Sequence, residues 1–173
     1  MPDLLVCGAN DSRQLPLGDD AATADDVLTL APAVMPGIAI AHVAFGSSHT
    51  LFLDTGGVVF TLGANHNGQC GVSSPDLIES PRRLDSLAMS FTVAMIAAGG
   101  SHSAVVTTDG ELATFGANDV GQCGLGADAS LDVRKPRFVK IPGATAVHQV
   151  ACGDQHKLIL DCSARVLSCG QGR

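Results

Sequence analysis

A repeat constrains this chain more than any other feature. Residues 46–71 read GSSHTLFLDTGGVVFTLGANHNGQCG, and residues 99–124 read GGSHSAVVTTDGELATFGANDVGQCG, aligned without a gap. A third copy, GDQHKLILDCSARVLSCG, spans 153–170, and the end of a further copy, VCGANDSRQLPLG, opens the chain at 6–18. The period is about 54 residues, and glycines that recur in register at such a spacing mark stacked structural units. The copies divide the 173 residues into one repeat domain: 1–37 (the end of one repeat and an acidic linker), 38–91, 92–145 and a truncated 146–173.

Each copy follows one grammar. An apolar stretch ends in Gly46, Gly99 or Gly153, and three residues later comes His49, His102 or His156. A short apolar run follows (TLFLD, SAVVT, KLILD), then a turn, then a second run closed by Gly63, Gly116 or Gly170. Runs of this length bounded by Gly and Asp-Gly predict strands and hairpins, with Asp109-Gly110 the most hairpin-like turn. The third copy carries Ser163-Ala164 there, so a different turn is expected. A unit of three or four short strands cannot cover both of its own faces and must stack on its copies. The fold class predicted is all-β, a partial β-propeller of about three antiparallel blades. The stretch 19–31 (DDAATADDVLTLA) carries a helix-start signal, one short turn at most.

Composition narrows the classes. Hydrophobic residues make up 46% and charged residues 16%, which excludes a disordered chain. Twenty Gly and eight Pro exclude a coiled coil. A net charge of -7 argues against direct DNA binding, which needs a positive field to displace counterions. The charge is uneven: residues 131–173 hold seven bases against three acids. No apolar run approaches the ~20 residues of a membrane span, and MPDLLVCGAN lacks a basic secretory n-region. A cytoplasmic or nuclear location is expected. Cys7, Cys70, Cys123, Cys152, Cys162 and Cys169 show no CxxC spacing and are expected to be free, buried and small.

Little in the repeat points to covalent chemistry. His49, His102 and His156 sit one per repeat with no carboxylate or Cys recurring beside them, so the expected role is a ring bonding backbone at a strand start; no metal site is expected. Ser47, Ser48, His49 and Asp54, or Ser101, His102 and Asp109, hold nucleophile-type residues, but neighbours on a strand point to opposite faces. The segments Gly63-x-Asn65-x-x-Gly68-Gln69-Cys70-Gly71 and Gly116-x-Asn118-x-x-Gly121-Gln122-Cys123-Gly124 lack the Gly-Lys-Ser/Thr of a phosphate loop. Their glycines suit tight bends, and Asn65 and Asn118 suit bonds to the local backbone there. No catalytic residue and no cofactor is predicted. Arg82-Arg83 and Arg134-Lys135-Pro136-Arg137 fall in the stretches between repeats, and Arg134, Lys135 and Arg137 are the candidate partner contacts. Asp19-Asp20 and Asp25-Asp26 are a candidate contact for a basic partner.

The recurring Gly-x-x-His, strand, Asp-Gly, then Gly-x-Asn-x-x-Gly-Gln-x-Gly resembles the repeat of the regulator of chromosome condensation family. The aromatic that often precedes the third glycine there is Leu62, Phe115 or Cys7 here, and Leu of Gly-Gln-Leu-Gly is Cys70 or Cys123. The resemblance implies seven-bladed propellers of four strands per blade, which need about 370 residues. Third strands at both ends of this chain would then leave open β edges that invite self-association. It implies a non-catalytic interaction scaffold first. The alternative it implies is a guanine-nucleotide exchange factor or regulator of a Ran-like small GTPase, with a small GTPase or a histone as partner and an association with chromatin. The family role in UV-B sensing by clustered Trp is excluded, because Trp is 0.

Overall fold

The computed structural model describes residues 4–18, 26–85, 91–126, 129–143 and 146–172. They form antiparallel sheets in which successive strands pair in chain order. The first sheet pairs β1 (Leu5–Ala9) with β2 (Asp26–Pro32). The second runs β3 (Ile40–Phe45), β4 (His49–Asp54), β5 (Val59–Ala64), β6 (Leu77–Arg83). The third runs β7 (Val93–Ala98), β8 (His102–Thr107), β9 (Leu112–Ala117), β10 (Asp132–Phe138). The fourth holds β11 (Val147–Cys152), β12 (His156–Asp161) and β13 (Val166–Gly170). This is the all-β partial propeller that the repeat implies: two complete blades flanked by two incomplete ones. Among the described residues no helix is long and apolar enough to cross a membrane.

The core lies in the seams between sheets. Leu51, Leu53, Val59, Val93, Val105 and Phe115 fill the seam of the second and third sheets. Ala104, Val106, Leu112, Val147, Val150 and Ile159 fill the seam of the third and fourth. β8 is buried at every position because a sheet covers each of its faces, which is why SAVVT reads as a continuous run. In β12, Lys157 and Ile159 are buried while Leu158 is 46% exposed, so KLILD alternates.

Several expectations need correction. The stretches between repeats each contain a strand, β6 and β10, so Arg82, Arg83 and Arg134–Arg137 lie on outer strands and not in linkers. Pro81 and Pro136 hid them, since Pro cannot donate to a ladder. Both prolines sit where the register shifts, between Ile78 and Arg82 and between Val133 and Arg137. The first sheet likewise has a fourth-position strand, β2, over residues that carried a helix signal; 19–25, with Asp19, Asp20 and Asp25, lie outside the described residues. Cys7 and Cys162 are exposed, and Cys152 and Cys169 are half-buried, so only Cys70 and Cys123 are buried thiols.

The Ser163-Ala164 turn does not differ from the other two. Ala164 N–H donates to Asp161 O at 3.1 Å and Asp161 N–H to Arg165 O at 3.0 Å, the same pair that Gly57 and Asp54, and Gly110 and Thr107, make. Ala164 takes φ 61 where Gly57 and Gly110 take 78 and 79. The Asp161 carboxylate holds the turn by accepting from Ser163 N and Arg165 N, both at 2.9 Å, and from Arg165 Nε at 2.7 Å.

Candidate functional site

The repeated residues build the joints between blades. Gly46 and Gly99 lie flat against the rings of His49 and His102, and a Cβ at either would run into the ring. His49 and His102 are thereby buried completely. His49 was expected to bond backbone; it bonds the next blade instead. Ser103 Oγ donates to Gln69 O at 2.8 Å, so its proton is spent, and His49 Nε2–H donates to Ser103 Oγ at 2.8 Å. Desolvation by burial lowers the His49 pKa to about 3, with the neighbouring His102 adding to the effect. A serine–histidine pair thus forms, but between blades. Both side chains are fully buried, and among the described residues His49 Nδ1 has no partner to orient the ring. It is a bolt between sheets, in line with Thr50 Oγ1, which donates to Gln14 O at 2.7 Å in the preceding seam. His156 is half-buried against Gly153. Among the described residues no group of three or more His, Cys, Asp or Glu is placed to hold a metal ion.

The bend after each third strand is wound around its asparagine. Asn65 Nδ2 donates to Val72 O at 2.9 Å and Pro75 O at 2.8 Å, and its Oδ1 accepts from Cys70 N at 3.1 Å. Asn118 repeats this with Ser130 O at 3.1 Å and Cys123 N at 3.0 Å. Gly63, Gly116 and Gly170 hold φ of 105, 105 and 92 at the strand ends, with the backbone of the adjacent strand against them. Gly68, Gly71, Gly121 and Gly124 turn the bends at φ between 69 and 84. Gly110 turns the hairpin. The thiol of Cys70 points at Ala64 O (3.3 Å) and that of Cys123 at Ala117 O (3.4 Å); burial raises the Cys70 thiol to about 11.

The candidate partner contacts separate. Arg134 is engaged internally: Nη1 reaches Asp76 Oδ1 at 3.0 Å and Ser73 O at 3.3 Å, and Nη2 donates to His66 O at 2.7 Å. It latches the second blade's bend to the third blade's outer strand. Lys135 and Arg137 are exposed on β10, as Arg82 and Arg83 are on β6. Basic side chains and Pro on outer strands also guard a free edge against pairing.

Sequence reasoning missed one surface feature. A cleft of about 400 Å³ opens between the third and fourth sheets, lined by Asp119, Asp132 and Asp154 with Asn67, Ser101 and Gln155. Asn67 Nδ2 holds Asp132 Oδ1 at 2.9 Å. The carboxylates come from three separate segments, so no local pattern announces them. The cleft offers carboxylate and amide acceptors to a basic side chain. It also missed Lys157, fully buried in that seam, although its place after His156, where the other copies carry Thr50 and Ser103, was legible.

Comparison with known proteins follows the same lines. The model of the regulator of chromosome condensation (RCC1) repeat matches residues 56–106 and 109–160, and a second model of that repeat matches 40–69 and 93–122. The probable E3 ubiquitin-protein ligase HERC3 of Homo sapiens is 38% identical over 87% of the chain and 14% of its own length. The guanine nucleotide exchange factor SRM1 of Saccharomyces cerevisiae is 33% identical over 76% of the chain and 28% of its own length. The crystal structure of Prp20p from Saccharomyces cerevisiae, reported with its binding properties to Gsp1p and histones, superposes with a TM-score of 0.72 at 30% identity, over 86% of this chain and 35% of that one. The chain therefore spans well under half the length of the proteins it matches.

Proposed function

We propose, because this chain belongs to the regulator of chromosome condensation (RCC1) repeat family, that it is a propeller segment acting on a small GTPase of the Ran class, as a nucleotide-exchange factor or regulator. This reverses the order in which the sequence ranks the two readings, which put a generic scaffold first. The observation that carries it is the 33% identity to the exchange factor SRM1 over 76% of the chain. The superposition on Prp20p, whose binding to Gsp1p and histones was studied, supports it at the level of fold and partner class.

The reading gives the chain no covalent step. Exchange needs a rigid face that competes for the GTPase's nucleotide-binding elements, and bolted blades supply rigidity. The acidic cleft suits a basic partner segment, which is the chemistry of a histone tail. A nuclear or cytoplasmic location goes with it. So does self-association through β1 and β13, each of which pairs on one side only among the described residues. Sedimentation of a stable monomer at micromolar concentration would remove that last element.

The deciding experiment is release of a labelled guanine nucleotide from a Ran-class GTPase with the chain at sub-stoichiometric amounts. Acceleration over the GTPase alone is expected. Unchanged release, with stable binding of the GTPase, would return the chain to a scaffold. That second reading is favoured by the 38% identity to HERC3 over 87% of the chain, where the matched region is a small part of a larger ligase.

A further inference from the structure

One position breaks the repeat's chemistry inside a seam. In the second sheet Thr50 lies opposite Leu62, and in the third Ser103 lies opposite Phe115. Both pairs set a short hydroxyl against a large apolar side chain, and each hydroxyl donates to a carbonyl of the preceding blade, Gln14 O or Gln69 O. In the fourth sheet the sizes are exchanged: Lys157 lies opposite Cys169 on one side and Cys152 on the other. The small Cys169 leaves the space that the lysine stem fills. The Lys157 side chain is fully buried, and its Nζ has no hydrogen-bond partner among the described residues. Gln122 O, the carbonyl in the repeat-equivalent place, receives the Cys169 thiol at 3.5 Å. His102, which by the repeat should bond the residue at position 157 as His49 bonds Ser103, makes no such bond.

A buried amine with no acceptor and no counter-charge is tolerated only in its neutral form. Burial holds the Lys157 amine below the usual lysine range, and the thiols of Cys152, Cys123 and Cys169 offset this only in part. The groups facing it are Cys152 from β11, Cys169 from β13, Cys123 from the bend after β9 and His102 from β8. None of these is a carboxylate.

We propose that Lys157 makes the seam between the third and fourth sheets a proton-gated joint: β11–β13 swing off the third sheet by taking up one proton on the Lys157 amine, while the seam between the second and third sheets stays closed. Once open, the amine is solvated and charged, so the opened form holds one more proton than the closed form. The population of the open form then rises about tenfold for each pH unit of fall, the slope of a one-proton linkage. Asp154 and Gln155, which form one wall of the acidic cleft, leave with the fourth sheet. The joint therefore couples proton concentration to whether that cleft exists. His102 and the thiols bound the clean window. His102 charges in the opened form below about its ordinary 6.5, and opened thiols ionise above about 8.5, so the lysine acts alone between roughly pH 7 and 8.

Hydrogen exchange of the full chain, read by mass spectrometry and corrected for intrinsic rates, tests this. Protection of β11–β13 should fall about tenfold from pH 8 to pH 7, while that of β4 and β5 stays level. Lys157→Met, which keeps the stem and removes the amine, should abolish that slope and raise protection in β11–β13. If Lys157→Met fails to fold, the paired variant Lys157→Ser with Cys169→Phe, which restores the hydroxyl and aromatic of the third sheet, serves the same purpose. Heteronuclear resonance of the Lys157 Nζ should report a neutral amine in the folded chain at pH 7.5. A protonated Nζ in the closed state, a flat profile in β11–β13, or an equal slope in β4 and β5 would each overturn the joint.

Discussion

The two inner seams of this molecule use the same backbone and differ in what crosses them. Between the second and third sheets, a histidine, a hydroxyl and a carbonyl form a closed relay: His49, Ser103 and Gln69. Between the third and fourth, the corresponding His102, Lys157 and Gln122 form no such relay, and Lys157 Nζ has no partner among the described residues. Apolar packing is present in both. The difference shows that a repeat can keep its architecture through area burial and turn geometry while the polar pairing that sets rigidity is edited at one residue.

The largest effect should come from truncating the large side chain of the intact seam. Phe115→Ala should cost about 3–5 kcal/mol in chemical denaturation, since the ring is fully buried. Cys169→Ala, at the same repeat position in the looser seam, should cost about 1 kcal/mol or less. Equal costs would erase the contrast.

Acid should act next. Burial lowers His49 to about 3 and His102 to about 4, so both stay neutral in the folded chain while the unfolded chain protonates near 6.5. Their contribution is complete above pH 6.5 and is lost as pH falls toward those lower values, at about 1.4 kcal/mol per pH unit for each histidine. A denaturation midpoint that does not move between pH 6.5 and 5 would contradict the burial of both rings.

Ser103→Ala should cost about 1–3 kcal/mol, because it strands His49 Nε2 and Gln69 O together in a dry seam. A change within a few tenths of a kcal/mol would mean that the relay adds nothing beyond packing. The smallest effect belongs to the hairpin of the fourth sheet. Ala164→Gly should stabilise by about 0.5–1 kcal/mol, since Ala164 holds φ 61 and glycine adopts it without strain. A loss of stability there, seen as a lowered thermal midpoint, would assign the turn's geometry to some other constraint.

Legibility followed the range of the interactions. The strands β4, β5, β8, β9, β12 and β13 were readable because each is a local apolar run closed by a turn. The fourth strands β6 and β10 were obscured by Pro81 and Pro136, whose tolerance depends on a register shift against β5 and β9 that no single segment reveals. The hairpin at Ser163-Ala164 looked different because the rule for such turns concerns glycine, whereas Asp161 and Arg165 hold the alanine in place. The acidic cleft was invisible for the same reason: Asp119, Asp132 and Asp154 meet only once the blades are stacked.

What the amino-acid order determined by itself is the period, the strand and turn grammar within each copy, and hence a stack of small sheets. These rest on contacts between near neighbours, where side-chain alternation and glycine placement act directly. Which side chains meet across a seam was decided by tertiary structure alone. His49 finds Ser103, Arg134 finds Asp76, and Lys157 finds no partner among the described residues, because those pairings depend on how one sheet is rotated and seated on the next.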